Sequence, residues 1–247
     1  MSGACGPSAG LARELALGRA RVVAASREEV LEACGDAEPY EPLGGVPVRA
    51  RDGRERAAAA HAAGRLLVAD NARATLALSA PCLRGADVHL ELLDAVPAGE
   101  GLALVGLSRE LSADPPAALA ALLDDAPAPG AERLAAVAAG LGDLAASVRA
   151  ASDAARVAAE YLRCHPAVAE ARYPGLACDP CNAEARRALH HGFGPLVDVR
   201  LARDPGSDAD LGPLAPAGGG WRRLACRPGD ALALVGELEG ALAPLAS

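Results

Sequence analysis

No lysine occurs among the 247 residues: all 24 basic side chains are arginines. Any mechanism that needs a lysine is therefore closed to this chain acting alone. Aromatic residues make up only 2% of the sequence, against 51% for hydrophobic residues as a whole, so the core has to be built from Ala, Leu and Val. Basic excess is also lacking. The net charge is -8, which argues against nucleic acid as a partner, because phosphate recognition needs a basic face. The start, MSGACGPSAG, has neither the basic region nor the apolar region of a signal peptide. No apolar run is expected to approach the roughly 20 residues of a membrane span. The seven cysteines, at 5, 34, 82, 164, 178, 181 and 226, are odd in number and scattered. Together these absences point to a cytoplasmic protein with reduced thiols.

What is present suffices for a globular protein. Charged residues are 23%, near the usual value, and the length allows one large or two small domains. Residues 9–18 read as a short helix and 21–25 as a strand. Ser26 caps a helix to about Cys34, with Glu29 completing a capping box. Residues 35–50 are rich in Gly and Pro and read as a loop. A helix over 54–63 ends at Gly64, and Leu66–Ala69 reads as a buried parallel strand with Asp70 at its C-terminal end, where open α/β sheets bind ligands. Residues 88–93 and 102–107 read as strands, 115–123 as a helix and 124–130 as a loop. An almost continuous helical pattern runs from Ala131 to Cys164, with Gly140 and Gly142 as kink candidates and Pro166 as the stop. Strands over 168–173, 196–201 and 222–226, helices over 182–191 and 230–242, and a loop over 203–220 complete the chain. The order predicts an α/β domain over 1–130, a connecting helix over 131–165 and a small α+β domain over 166–247.

Three blocks carry a resemblance. Ala60 to Val88 (AHAAGRLLVADNARATLALSAPCLRGADV) resembles the Cys/Met-metabolism, or trans-sulfuration, family of pyridoxal-phosphate (PLP) enzymes. That group includes cystathionine synthases and lyases and methionine γ-lyase. The chain keeps Ala60, His61, Gly64, Asp70, Asn71, Ala74, Thr75, Pro81, Gly85, Ala86 and Asp87 without a gap. It departs at Arg73, where the family has Phe, and at Leu76, where it has Pro. Tyr161 to Leu176 (YLRCHPAVAEARYPGL) is similar to the family's LxxHPxVxxVxYPGL, and the spacing onward to Gly192, Phe193 and Gly194 matches its GFG. Arg222 to Leu242 is similar to its closing segment. The resemblance implies an α/β fold: part of a type I PLP-transferase large domain, a long connecting helix and a small α+β C-terminal domain.

The resemblance also says what to look for. In the family, PLP is an electron sink, a lysine holds it as a Schiff base and then moves the Cα proton, and an aspartate keeps the pyridine nitrogen protonated. An arginine in the closing strand grips the substrate α-carboxylate. Asp70 matches that aspartate and Arg223 that arginine. The lysine position falls on Ala95. The phosphate-binding Ser and Thr positions fall on Leu92 and Asp94, and a carboxylate there repels phosphate. The family's Gly-rich loop is replaced by Val96–Gly99. Its Tyr-x-Arg arm, phosphate loop and cofactor-stacking Tyr find no match in the first 40 residues, so the chain is expected to be an N-terminally truncated relative. Asp70 also reads as an Asx turn or helix cap, and Arg223 as an ordinary surface arginine beside Arg222.

Cys178-Asp179-Pro180-Cys181, with Cys164, His165, His190 and His191 near in sequence, is a weak zinc pattern with no second C-x-x-C, and no metal site is expected. The expectation is a non-catalytic homologue that acts as a structural or regulatory subunit, in a homo- or hetero-oligomer with a full-length PLP enzyme. No cofactor is expected on this chain alone, PLP being left to a partner chain. The competing reading is a PLP-dependent lyase or transferase, working by β- or γ-elimination or replacement on sulfur amino acids, only within a heteromeric complex. A third is a decaying gene product that still folds, and a fourth is a binding protein that holds an amino acid on Asp70 and Arg223 without reacting it.

Overall fold

The computed structural model describes residues 19–127, 129–203, 205–206 and 209–246. The helix read over 9–18 lies outside these. The chain divides into two compact units, Met1–Pro42 with Asp52–Ala145, and Leu43–Arg51 with Ala146–Ser247.

The first unit holds a five-stranded sheet in the order β1-β7-β6-β5-β2. Its strands are β1 (Ala20–Val23), β2 (Glu38–Tyr40), β5 (Leu67–Asp70), β6 (Val88–Leu92) and β7 (Ala103–Leu107). β2, β5 and β6 are parallel; β7 runs antiparallel to β6 and to β1. Every residue of β5 is buried, the burial expected of a central parallel strand. One face of the sheet packs Val68, Val88, Leu90 and Val105 against Val30 of α1 (Arg27–Ala33) and Leu119 and Leu123 of α4 (Ala117–Asp125). The other face is covered near β2 by Ala57 and Ala60 of α2 (Gly53–Ala62). Near β7 it is covered by Val137 of the long helix α5 (Ala131–Cys164). A one-turn helix, α3 (Thr75–Leu78), follows β5.

The capping box read at Ser26 is present. Ser26 Oγ accepts from Glu29 N at 3.2 Å, and Glu29 Oε2 accepts from Ser26 N at 2.7 Å. These hydrogen bonds, the backbone one first, hold the Glu29 carboxyl below its ordinary range. Ser26→Ala is expected to cost about 0.5–2 kcal/mol in urea denaturation. Because the folded value for Glu29 is lowered, its share of the cap is present above the unfolded carboxyl range and is lost as pH falls through the lowered value.

The second unit holds a four-stranded antiparallel sheet in the order β10-β11-β9-β8. Its strands are β8 (Val168–Arg172), β9 (Leu196–Leu201), β10 (Leu214–Gly218) and β11 (Trp221–Ala225). Val197, Val199 and Leu224 face Ala154, Ala155, Ala158, Ala159 and Leu162 of α5 and Leu238 and Leu242 of α7 (Ala231–Leu242). A short helix, α6 (Asn182–Ala188), and a two-stranded ribbon, β3 (Leu43–Gly44) with β4 (Arg49–Ala50), also belong here.

Two segments read as loops contain strands: 35–50 holds β2, β3 and β4, and 203–220 holds β10. β2 and β10 each contain a proline, Pro39 and Pro216, and each lies at a sheet edge, the position at which a strand tolerates the missing N–H. The glycines in α5 do not interrupt it. A Cβ on Gly140 would lie 2.7 Å from Val96 Cγ1, so this glycine serves close packing of the helix on the turn before β7. By length and composition α5 meets the requirement for a membrane span, with a mean hydropathy of 1.4 over 18 residues and 11% of that window buried. Reading only uninterrupted runs missed this, because Asp143 and Arg149 interrupt the apolar pattern. Core helices of soluble proteins meet the same requirement by length and composition, but those are mostly buried.

Candidate functional site

Asp70 ends β5, and its carboxylate is nearly buried. Oδ1 accepts from Ala72 N at 3.2 Å, an Asx turn, and Oδ2 accepts from Arg27 Nε at 2.5 Å. Arg27 is the first residue of α1, fixed in place by the Ser26 cap. The hydrogen bond that Arg27 donates to Asp70, opposed by burial and reinforced by the Asp70 charge, raises the Arg27 guanidinium above its ordinary value. The chain therefore supplies a permanent cation to the carboxylate at the end of β5.

The positions aligned with the family's lysine and phosphate ligands lie in one stretch of the hairpin between β6 and β7. Leu92 is the last residue of β6 and packs against the sheet core. Asp94 Oδ1 accepts from Gly101 N at 3.0 Å, closing the turn, and Ala95 beside it is exposed. The turn is tight: a Cβ on Gly99 would lie 2.1 Å from Leu93 O. Arg133 of α5 donates to Ala98 O at 2.9 Å and to Glu100 O, which ties the turn to the helix.

The sequence reading missed a buried polar group on the neighbouring strand. His89 and Glu91 are 4% and 1% exposed, with His89 Nε2 3.3 Å from Glu91 Oε2. Glu91 Oε2 accepts from Leu76 N at 2.8 Å. The 3.3 Å approach lacks hydrogen-bond geometry: both ring nitrogens of His89, and Oδ1 of Asn71, have no hydrogen-bond partner among the described residues. The signal for this group was in the sequence VHLEL, where two polar residues alternate inside an apolar run, so that both side chains leave the sheet on one face.

In the second unit the adjacent Arg222 and Arg223 leave β11 on opposite faces, as successive strand residues do. Arg222 is buried and donates to the carbonyls of Gly206 (2.7 Å), Ala209 (3.0 Å) and Leu214 (3.5 Å), so it organises the loop before β10. Arg223 is paired across the ladder with Asp198 of β9. Its Nε donates to Asp198 Oδ1 and its Nη2 to Oδ2, each at 2.7 Å, and Nη2 also donates to Gly45 O at 2.5 Å. The fully buried Asp198 accepts a third hydrogen bond from Val48 N at 2.6 Å.

The C-x-x-C stretch is built around Asp179, whose side chain is inaccessible to solvent. Asp179 accepts from Tyr173 N at 3.0 Å, from Cys181 N and Sγ at 2.9 Å, and from Arg172 Nε at 3.2 Å. Burial, with the Asp179 hydrogen bond adding to it, pushes the Cys181 thiol up to about 11, so it stays protonated at neutral pH. Cys178 is exposed. Among the described residues no three His, Cys, Asp or Glu side chains converge as a metal-holding group.

Other residues of the three blocks hold architecture. His61 Nε2 meets Asp87 Oδ2 at 2.8 Å, and the same oxygen accepts from Leu67 N at 2.8 Å, joining the end of α2 to the start of β5. Gly64 and Gly85 adopt left-handed φ values of 70° and 94°. A Cβ on Gly175 would lie 2.5 Å from Tyr173 Cε1.

No family model matches the chain. Solved structures do. An apo methionine γ-lyase from Micromonospora echinospora is 25% identical with a TM-score of 0.68, over 86% of this chain and 65% of that one. A cystathionine γ-lyase structure from the same organism is 24% identical with a TM-score of 0.69, over 88% and 68%. A cystathionine γ-synthase from Xanthomonas oryzae pv. oryzae, in complex with aminoacrylate and cysteine, is 22% identical with a TM-score of 0.71, over 89% and 67%. The chain thus spans about two thirds of the length of each of these proteins. It has the fold of the trans-sulfuration (Cys/Met-metabolism) enzymes, the family that its three sequence blocks resemble.

Proposed function

We propose that the chain is a non-catalytic relative of the trans-sulfuration enzymes that works in the cytoplasm as a structural or regulatory subunit of a larger assembly, with a full-length PLP enzyme as partner. The observation that carries the reading is the hairpin turn at Ala95. The position that needs an amine nucleophile holds a methyl group, and no lysine elsewhere in the chain can substitute for it. The residues present do not fit PLP. Asp94 puts a carboxylate at a phosphate position and spends it on the turn, and Asp70 already has Arg27 as its counter-ion. No step is therefore derived through the cofactor. What this chain can contribute is surface. The apolar window of α5 is only 11% buried and includes the exposed Leu134, Val157 further along the helix is also exposed, and such a surface favours a protein partner.

Native mass spectrometry of the chain purified under mild conditions from its own host tests this. The expected result is a heteromer with a longer chain that carries the PLP mass. With the isolated chain and added PLP, borohydride reduction is expected to leave this chain's mass unchanged. A reduced PLP adduct on this chain overturns the reading in favour of the lyase or transferase alternative. A homo-oligomer without a second chain overturns the partner.

A further inference from the structure

We infer that the first unit contains a site for a divalent transition-metal ion, held by His89 and Glu91 on β6 and by Asn71 just after β5. The inference is independent of whether the protein works as a subunit.

The three side chains share one face of the sheet. Val88, Leu90 and Leu92 pack on the face that α1 covers, so the alternate residues His89 and Glu91 leave β6 on the other. Asp70 turns toward Arg27 of α1, so Asn71 leaves on the face of His89 and Glu91. Ala69 stands opposite His89 and Asp70 opposite Leu90 in the parallel ladder. Asn71 N–H donates to Leu90 O at 2.7 Å, which continues that ladder and brings Asn71 beside Glu91. The cross-strand neighbours of His89 are Ala69 and Gly106, and neither has atoms beyond Cβ with which to fill the space around the ring. α3 closes the group from above. Leu76 N–H donates to Glu91 Oε2 at 2.8 Å, and Thr75 before it holds a left-handed φ of 57°, a costly conformation for a β-branched residue.

Charge and lone pairs say what such a group takes. Asn71, His89 and Glu91 are each more than nine-tenths buried. Asn71 Oδ1 and both nitrogens of His89 have no hydrogen-bond partner among the described residues. Asn71 Nδ2 donates to Ser79 O at 3.2 Å, which turns Oδ1 away from Ser79. Among the described residues no arginine reaches Glu91. A buried carboxylate without a cation and buried acceptors without donors are both costly. A water molecule offers two donors and leaves the charge of Glu91 uncompensated. A cation answers the carboxylate, the amide oxygen and the imidazole nitrogen together. The spacing fits one. His89 Nε2 and Glu91 Oε2 are 3.3 Å apart without hydrogen-bond geometry. Two ligands of a tetrahedral ion, at bonds of about 2.0–2.1 Å, stand about 3.4 Å apart. The imidazole selects a first-row transition ion over Mg²⁺ or Ca²⁺, which take oxygen ligands. Only two of the three ligands are His or Glu; the third is an amide, so the site is compatible with the lack of any group of three His, Cys, Asp or Glu.

Titration of the full chain with Co²⁺, followed anaerobically by absorption, tests this. The expected result is a set of visible d–d bands of tetrahedral nitrogen and oxygen ligation that saturates at a single equivalent and that Zn²⁺ abolishes. The near-ultraviolet sulfur-to-cobalt charge-transfer band, the mark of cysteine ligation, is expected to be missing from this set. Glu91→Gln keeps an acceptor for Leu76 N–H and removes the charge, and it is expected to lose the bands, as is His89→Leu. The His165→Ala/His190→Ala/His191→Ala triple variant, altered only in the second unit, is expected to keep them. Wild type without visible bands, or with a sulfur charge-transfer band in their place, overturns the inference. So does a folded Glu91→Gln or His89→Leu variant that keeps the bands, or a triple variant that loses them. Should neither first-unit variant fold, wild type and the triple variant decide, with bands in both supporting the site. Failure here leaves the subunit reading standing, and a PLP adduct on this chain would leave the cobalt bands intact.

Discussion

Asp198→Ala lowers the unfolding free energy of the second unit by about 3–5 kcal/mol, the usual cost of breaking a buried ion pair by removing one partner. The loss is large because of what stays behind. Arg223 keeps its charge with only 16% of its side chain exposed, and Val48 N–H loses its acceptor where water reaches poorly. The anchor holding residues 43–51 to this unit goes at the same time. The contrast is the Arg163–Glu160 pair, 2.8 Å apart with about half of each side chain exposed, which solvent screens so that its removal costs little. Replacing both Asp198 and Arg223 by apolar residues costs much less than the single change, since no uncompensated charge is left. Urea denaturation followed by tryptophan fluorescence measures this directly. Trp221 is the only tryptophan, it lies on β11 beside Arg223, and it reports on this unit alone. A loss below about 1 kcal/mol for the single variant would show that the pair is solvated.

Leu162→Ala has the second large effect, about 2–5 kcal/mol in the same assay. Leu162 is fully buried on α5, and the inward residues on the preceding turns are Ala154, Ala155, Ala158 and Ala159. Alanines have no length with which to close a void, so the cavity persists and the cost lies toward the upper part of the range. Leu162→Met, which nearly conserves volume, costs less than about 1.5 kcal/mol. Equal losses for Ala and Met would mean that shape, and not the void, sets the cost.

The fold was legible where it rests on local chemistry. The Ser26–Glu29 box, the Gly64 stop, the apolar run of β5 and the long pattern of α5 are each written within a few residues, and each is found close to where it was read. β2 and β10 were illegible because proline and glycine mask a strand unless its edge position is known, and edge position is a property of the whole sheet. The site follows the same division. The places of Asp70 and Arg223 on their strands could be read from the resemblance. Their counter-ions could not, because Arg27 is 43 residues from Asp70, Asp198 is 25 from Arg223, and Val48 is 150 from Asp198. No periodicity connects such distances. His61 and Asp87, which look like chemistry in a motif, turn out to fasten a helix to a strand.

The outermost strands of the two sheets have a consequence for self-association. β2 and β10 carry prolines, β8 has a register shift between Val168 and Glu170 with charged residues beside it, and β1 carries Arg21, which is paired with Asp124. Each sheet therefore ends on both sides in a strand that is poorly suited to template another chain. Amyloid-like stacking and strand exchange are disfavoured from these four edge strands of the described residues.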